Sequence, residues 1–409
     1  MKKSLLIILS YYFIQGTIHN FGHPVTPTYV NDLGIPQYMF GFFFAAMSLG
    51  LLVGAPIWGI LGDERSKKPF IVLGLLTYSV GQVLFVSTEN LILMTFFRFL
   101  SGFGVSAAIT LILSHLIGLV DVKNRTKYLS LSAALLALGT TIGYQIGGIM
   151  GEYFIQEVFY VQAIANAFYA LFIFVTLKET KKKVASKKKN FIQNFKAATK
   201  LNPSLLMFLI GLSLATIAAT NLTKYLDVYI IDLGYSTRQL GTFVMVTGFV
   251  GLFTNFVIVP WITKFRKDLK IMQWIQVFSA IIVFFVFRSN AIMRMLYSLF
   301  LVYIVLKSMF QPLEQNYISL NADGEKYGTI MGVRQSFFST GMVLGPLIAG
   351  FIYDYNPIRV FDFSAGMFVL AFILLKLSAN ALKKEEKSRR SVDDQFLTQL
   401  ENSHYKAEH

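Results

Sequence analysis

Ionisable and polar side chains stand inside stretches that are otherwise apolar, where their chemistry is proton exchange, ion pairing or solute binding. In the first such stretch Gln15, His19 and His23 fall four residues apart on one helical stripe, with Asn20 beside them. Histidine titrates near neutral pH, which makes His19 and His23 candidate proton carriers; two neutral, hydrogen-bonded imidazoles lining a cavity fit the same spacing. Arg98 interrupts a later apolar run, and Lys224 and Asp227 stand three apart, as expected of a local ion pair. Lys307, Gln311 and Glu314 share one helical face. Lys307 and Glu314 are two turns apart, about 10 Å along the axis, too far for direct pairing without a bridging group. Glu314 is the leading protonatable carboxylate, since a carboxyl in a partly dry cavity can take up and release a proton. A merely wet position near a membrane surface is its alternative. With no cysteine, no His-Glu-x-x-His and no third ligand near His19 and His23, neither an enzyme nor a metal site is expected.

The elements that carry these residues are membrane helices. The chain has 409 residues, 55% hydrophobic and only 14% charged, with a mean hydropathy of +0.56. A soluble domain of this size needs far more polar surface. Spanning a bilayer takes ~20 apolar residues, and about twelve such stretches recur, near 4–30, 37–61, 70–88, 91–119, 127–151, 157–177, 204–231, 237–262, 270–288, 292–317, 329–353 and 359–380. Without water to satisfy backbone groups, each must be helical, and the alternation of a membrane β-barrel is missing.

The net charge of +15 is distributed unevenly. Lysine and arginine gather in alternate connections: Arg65, Lys67 and Lys68; Lys123, Arg125 and Lys127; Lys264, Arg266, Lys267 and Lys270; and a long lysine-rich middle segment. The intervening connections Asn31–Pro36 and Ser87–Asn90 carry none, while Arg288, Arg294 and Arg359 are mild exceptions. This positive-inside pattern predicts a multi-pass protein of the cell membrane with both termini cytoplasmic. It assigns the basic loops to lipid headgroups rather than to nucleic acid. Met1-Lys2-Lys3 and the apolar residues after it read as a retained first helix rather than a cleaved signal.

Tyr29-Val30-Asn31-Asp32-Leu33-Gly34 returns two hundred positions later as Tyr229-Ile230-Ile231-Asp232-Leu233-Gly234, with Gly41 matched by Gly241. The fifth span carries Gly139, Gly143, Gly147 and Gly148, and the eleventh carries Gly341, Gly345, Pro346 and Gly350. Small residues four apart let helix backbones pack closely. The chain therefore reads as a duplicated bundle: an N-terminal bundle of six helices at 1–177, a basic cytoplasmic linker at 178–203, a C-terminal six-helix bundle at 204–380, and a tail at 381–409 expected to fray into disorder. An amphipathic turn around Phe191, Ile192 and Phe195 is expected to lie along the membrane surface.

Gly59-Ile60-Leu61-Gly62-Asp63-Glu64-Arg65-Ser66-Lys67-Lys68 resembles the loop signature of the major facilitator superfamily, a Gly-x-Leu-x-Asp core followed by a basic cluster. Arg98-Phe99-Leu100-Ser101-Gly102-Phe103-Gly104 is similar to the fourth-helix motif linked in that family to proton coupling. Gly139-x-x-x-Gly143-Tyr144-Gln145 resembles the signature of its exporters, with Tyr144 in place of a proline. Together with Pro24-Val25-Thr26-Pro27, these motifs look most like the twelve-span drug:proton antiporter branch, of the tetracycline and multidrug efflux type.

That resemblance implies an all-α membrane protein of the major facilitator fold, two six-helix bundles related by a pseudo-twofold axis. Gly59, Asp63, Arg65, Lys67 and Lys68 would form a conformational latch, with Asp63 meeting the N-terminus of the eleventh helix. Arg98, Glu314, Asp227, His19 and His23 are the proton-coupling candidates; Gln15, Asn20, Tyr144, Gln145, Lys307 and Gln311 are the cavity candidates. Relatives of the tetracycline type carry an acidic residue where Gln15 stands, so a proton-carrying carboxylate must lie elsewhere. The implied function is proton-coupled efflux of small lipophilic or amphipathic compounds by a monomer among membrane lipids, powered by the proton gradient without a cofactor. A facilitator-fold importer or lipid-linked-sugar flippase is the alternative.

Overall fold

The computed structural model describes residues 2–178, 202–265, 267–321 and 327–407, and among these every regular element is helical. The first lobe comprises α1 (Lys2–His19), α2 (Thr26–Asp32), α3 (Tyr38–Glu64), α4 (Lys67–Val86), α5 (Leu91–Leu119), α6 (Val122–Gly151) and α7 (Glu157–Thr176). The second comprises α8 (Pro203–Asp232), α9 (Thr237–Phe253), α10 (Val259–Ile262), α11 (Asp268–Val286), α12 (Ile292–Leu296), α13 (Leu299–Asn321), α14 (Tyr327–Tyr355) and α15 (Pro357–Ala407). Among the described residues, eleven helical stretches are long and apolar enough to cross a membrane, with Ser4–His19 a shorter apolar helix. The linker region 179–201 lies outside the described residues, and with it the expected turn around Phe191 and Phe195.

Three expected spans are interrupted. The first, expected unbroken over 4–30, ends at His19 and resumes at Thr26. Gly22 and Pro24 occupy the gap, and Pro27 sits in the first turn of α2, where its missing N–H is harmless. The eighth passes through a π turn at Thr254–Ile258 just before Pro260. A proline there lacks an N–H and crowds the carbonyl four residues back, and the wider turn makes room. The tenth is split into α12 and α13, where the Ser298 hydroxyl donates to the Arg294 carbonyl at 2.7 Å and competes with the backbone. The tail differs the other way: α15 continues to Ala407, because no glycine or proline follows Gly366 to stop it.

Buried apolar side chains form one cluster drawn wholly from residues 7–177 and two drawn from 208–375, so each lobe has its own core. A smaller cluster, Phe40 with Tyr225, Val228, Ala349, Tyr353 and Val360, bridges the lobes. Large apolar side chains such as Phe168, Val175, Phe256 and Phe285 stay exposed on the outside, as a lipid-facing surface requires. The duplicated turn has the same geometry in both copies. Gly34 and Gly234 adopt φ of +63° and +83°. Ile35 N–H donates to Val30 at 3.1 Å and Tyr235 N–H to Ile230 at 3.2 Å, the helix-ending loop that a left-handed glycine permits.

Candidate functional site

The lobes meet along two pairs of helices, α3 with α14 and α6 with α9. Their hydrogen bonds gather at the end away from the basic connections. Asn31 Nδ2 donates to Asp232 Oδ1 at 2.9 Å, and the Tyr38 N–H donates to Asp354 Oδ1 at 3.1 Å. Thr237 Oγ1 donates to the Gly148 carbonyl at 2.9 Å, and Arg238 pairs with Glu152 at 3.5 Å. Tyr353 donates to Asp232 at 2.6 Å within the second lobe and holds that carboxylate in place. Toward the basic end two cavities open between the lobes. One of about 380 Å³ lies between residues 48–56 of α3 and 332–342 of α14. The other, about 560 Å³, is walled by α6, α8, α9 and α13.

The larger cavity collects the polar residues of three helices. Tyr144, Asp227, Lys307 and Gln311 line it, with Thr140, Thr141, Thr223 and Asn255. Asp227 is buried, and its Oδ2 accepts from the Tyr144 hydroxyl at 3.2 Å, a bond that crosses from one lobe to the other. The expected Lys224–Asp227 ion pair is not formed: no pairing within 4.0 Å joins them. The physical reason is direction. Lys224 carries its ammonium over the Phe44 ring of the first lobe, 4.6 Å from the centroid, while Asp227 turns to Tyr144. Lys307 Nζ donates to Thr223 Oγ1 at 2.7 Å.

Glu314 is neither wet nor free. It is 1% exposed and accepts two hydrogen bonds from Arg334, at 2.6 Å from Nε and 2.8 Å from Nη2. Both partners are buried in the second lobe, and the planar guanidinium meets both carboxylate oxygens as a fork. The alternative of a wet Glu314 is not what the structure has, and the carboxylate expected in a partly dry cavity lines neither of the two cavities described above. Arg334 bore the same sequence signal as Glu314, a charge inside an apolar span, and was not singled out.

Arg98 does not snorkel to the surface. It is buried in the first lobe, with its guanidinium 3.8 Å from the Phe85 ring centroid and 5.5 Å from that of Phe159. Nη1 donates to Gln82 Oε1 at 3.0 Å and Nη2 to Thr26 Oγ1 at 3.4 Å. Gln82 in turn donates to the Tyr78 hydroxyl and to Gln162, and Gln162 to the Ile18 carbonyl. These neutral partners were invisible as a set in the sequence because they come from four helices. His19 packs on Tyr78 with centroids 4.4 Å apart, and His23 stacks on Tyr144 at 5.6 Å. The two histidines thus point to different neighbours, one into the Arg98 network and one toward the seam. Gln15 and the His19 Nε2 are buried without a hydrogen-bond partner, as is Gln145 Oε1. Asn20 ties α1 to α6 through Thr140 Oγ1 at 3.3 Å.

The profile described as Major Facilitator Superfamily matches residues 7–306 and 253–404. The chain belongs to the major facilitator superfamily. It is 24% identical over 343 residues to the quinolone resistance protein NorA of Staphylococcus aureus, covering 81% of this chain and 85% of that one. To multidrug resistance protein 1 of Bacillus subtilis it is 24% identical over 382 residues, 91% and 95% of the two chains. Among solved structures, a mutant of the nucleoside transporter NupG superimposes with a TM-score of 0.76 at 13% identity, over 92% of this chain and 99% of that one. A bacterial homologue of the lysosomal transporter Spinster, inward-facing and occupied, gives 0.75 at 12%, over 93% and 97%. As a superfamily member the chain is a multi-pass membrane protein and a secondary transporter rather than an enzyme.

The superfamily signatures fall where helices touch. Gly139 and Gly143 lie against the carbonyls of Phe13 and Thr17 in α1, and Gly147 against that of Phe21 just beyond it. In the second copy Gly341 and Gly345 lie against Ser213 and Ile217 in α8. A side chain at Gly143 or Gly341 would strike backbone, which cannot yield as a flexible side chain can. The next positions face the other lobe: the Tyr144 carbonyl meets Gly241, the Pro346 carbonyl meets Gly41, and Gly148 and Gly350 approach Thr237 and Tyr38. In the loop signature, Lys67 donates to Ser114 Oγ at 2.7 Å and Lys68 lies over the Phe174 ring, both within the first lobe, while Arg65 is exposed and Gly59 faces Thr110 with room for a methyl group. The side chain of Asp63 is not described, nor are those of residues 327–329 at the start of α14, the helix it is expected to meet.

Proposed function

We propose that this transporter expels small lipophilic or amphipathic compounds from the cell in exchange for protons, by alternating access at the seam between its lobes. The observation that carries the reading is Asp227. It is a buried carboxylate on the wall of a drug-sized cavity, and its one hydrogen bond among the described residues crosses from the second lobe to Tyr144 of the first. Protonating such a group changes what holds the lobes together, which is what coupling a proton to a conformational step requires. Glu314 is unsuited to the task here, because Arg334 already compensates its charge.

The positive-inside pattern puts the basic loops and both termini in the cytoplasm, so the separated end of the lobes faces inward and the cavity loads from that side. Asp63 and the basic cluster would close that end in the opposite state, with the carboxylate at a helix N-terminus. The relatives are named for quinolone and multidrug resistance, which favours export of xenobiotic-like compounds. Protons, the solute and membrane lipids are then the partners, and a monomer suffices.

The test is transport into everted membrane vesicles. An imposed proton gradient should drive uptake of an amphipathic dye, an ionophore should abolish it, and Asp227→Asn should reduce it to the level of vesicles lacking the protein. Gradient-independent uptake would overturn the reading. Import or lipid-linked-sugar flipping is a second reading, favoured by Tyr144 in the place of the exporter proline and by the ammonium of Lys307. Net movement out of everted vesicles would select it.

A further inference from the structure

The charges buried at the centre of the molecule do not balance. Arg98 and Lys224 are buried, Lys307 lines the cavity, and each is within electrostatic reach of a neighbour in the set: Lys224 of Arg98 and Asp227, Lys307 of Lys224 and Asp227. Two cationic side chains, Lys224 and Lys307, thus flank the one carboxylate, with Arg98 beyond Lys224, and Asp227 spends a hydrogen-bonding site on Tyr144. Burying a charge without a partner is unfavourable, and elsewhere in the same lobe the chain does pair one, closing Glu314 and Arg334 into a two-bond fork. At Lys307 no such closure exists. Its ammonium has three N–H groups and donates one, to Thr223, with no carboxylate within 4.0 Å among the described residues.

The surroundings fit an anionic ligand group. Lys307 lines a cavity of about 560 Å³, within the range that encloses drug-sized molecules, and Thr140, Thr141, Thr247 and Ser308 bring hydroxyls to the same wall. Aromatic and aliphatic side chains, Phe243, Phe300 and Leu226 among them, supply the apolar remainder. A purely cationic solute would meet the Lys307 ammonium and a carboxylate already engaged across the seam.

We infer that the Lys307 ammonium is the docking point for an oxyanion, and that the compounds this cavity takes are aromatic amphiphiles bearing a carboxylate, zwitterions included, rather than simple lipophilic cations. The inference deepens the proposed function by naming its substrate class and rests on the transporter reading of that cavity. It concerns binding, so it can fail or stand separately from proton coupling.

The test compares rhodamine 110 with rhodamine 123, its methyl ester, binding to the full chain in nanodiscs by fluorescence polarisation. The two dyes differ only in whether the carboxyl is free. Rhodamine 110 is expected to bind about tenfold more tightly, the gain from one charge-assisted contact. Lys307→Gln should bring the two affinities together, and Lys307→Arg should keep the preference. Equal or tighter binding of the ester to the unaltered chain would overturn the inference, as would no binding of rhodamine 110 or a preference that survives Lys307→Gln. Because the first comparison needs no variant, a poorly folding Lys307→Gln leaves it decisive. An ester preference alongside gradient-driven transport would refute the anion site alone; an acid preference without such transport would refute proton coupling alone.

Discussion

Where α1 of the first lobe breaks, the matching stretch of the second lobe runs straight through as α8. In the register set by Gly34 and Gly234, Pro24 and Pro27 correspond to Lys224 and Asp227. The prolines of one copy remove backbone donors and turn the chain; the charged residues of the other sit on an unbroken helix and reach the opposite lobe. Duplication supplied a symmetric frame, and divergence at one pair of positions made the seam chemically one-sided. The buried arginines repeat the lesson. Arg98 is held by neutral amides, a hydroxyl and aromatic faces, whereas Arg334 is neutralised by Glu314. Among the described residues the first lobe keeps its buried arginine without a carboxylate, and the second locks its own into a strut.

The strut offers the strongest test of that contrast. Glu314→Gln strands the buried Arg334 and is expected to destabilise the second lobe by about 3–5 kcal/mol, read as a lowered midpoint of thermal unfolding in detergent. Replacing both partners together, Glu314→Leu with Arg334→Met, should recover most of that loss; no recovery would mean the pair does more than brace the lobe. Asp227→Asn should do the reverse, abolishing gradient-driven transport with a smaller change in unfolding midpoint. If it unfolds the protein as readily as Glu314→Gln does, the two carboxylates are not distinct in kind.

Tyr144→Phe is a gentler cut. It removes one hydrogen bond across the seam, worth about 0.5–1.5 kcal/mol, from the cavity wall one turn below the contacts that close the non-basic end. Spin-label distances across that end should lengthen in a larger share of molecules; an unchanged distribution would show that the surrounding glycine contacts alone hold it. Smallest of all is Arg238→Ala. Its pair with Glu152 is 3.5 Å long and half exposed, so at most about 1 kcal/mol is expected. A larger effect would mean that the outer rim, rather than Asp227, governs closure.

Much of the frame was legible along the chain because it rests on local rules. Apolar length forces helices, a glycine with positive φ ends a helix in the same way twice, and small residues four apart mark where backbones touch. The interruption of the first span was also written locally, in Gly22 and Pro24, but apolar length alone ran past it. The site was legible only as a list of suspects. Intramembrane charge drew attention to Arg98, Lys224, Asp227, Lys307 and Glu314 without saying which faced which, since helical spacing reports neighbours on one helix and nothing about the helix opposite.

Sequence by itself determined that this chain spans a membrane as two related helical lobes, since hydropathy and the glycine repeats act over a few turns. Tertiary structure alone decided that Glu314 belongs to Arg334, that Asp227 belongs to Tyr144 across the seam, and that Lys307 borders the cavity with no carboxylate partner among the described residues. Those assignments depend on how helices far apart in the chain are rotated toward one another. Side-chain pairing in a low-dielectric interior is settled by that rotation, to within an ångström or so, and no spacing along one helix encodes it.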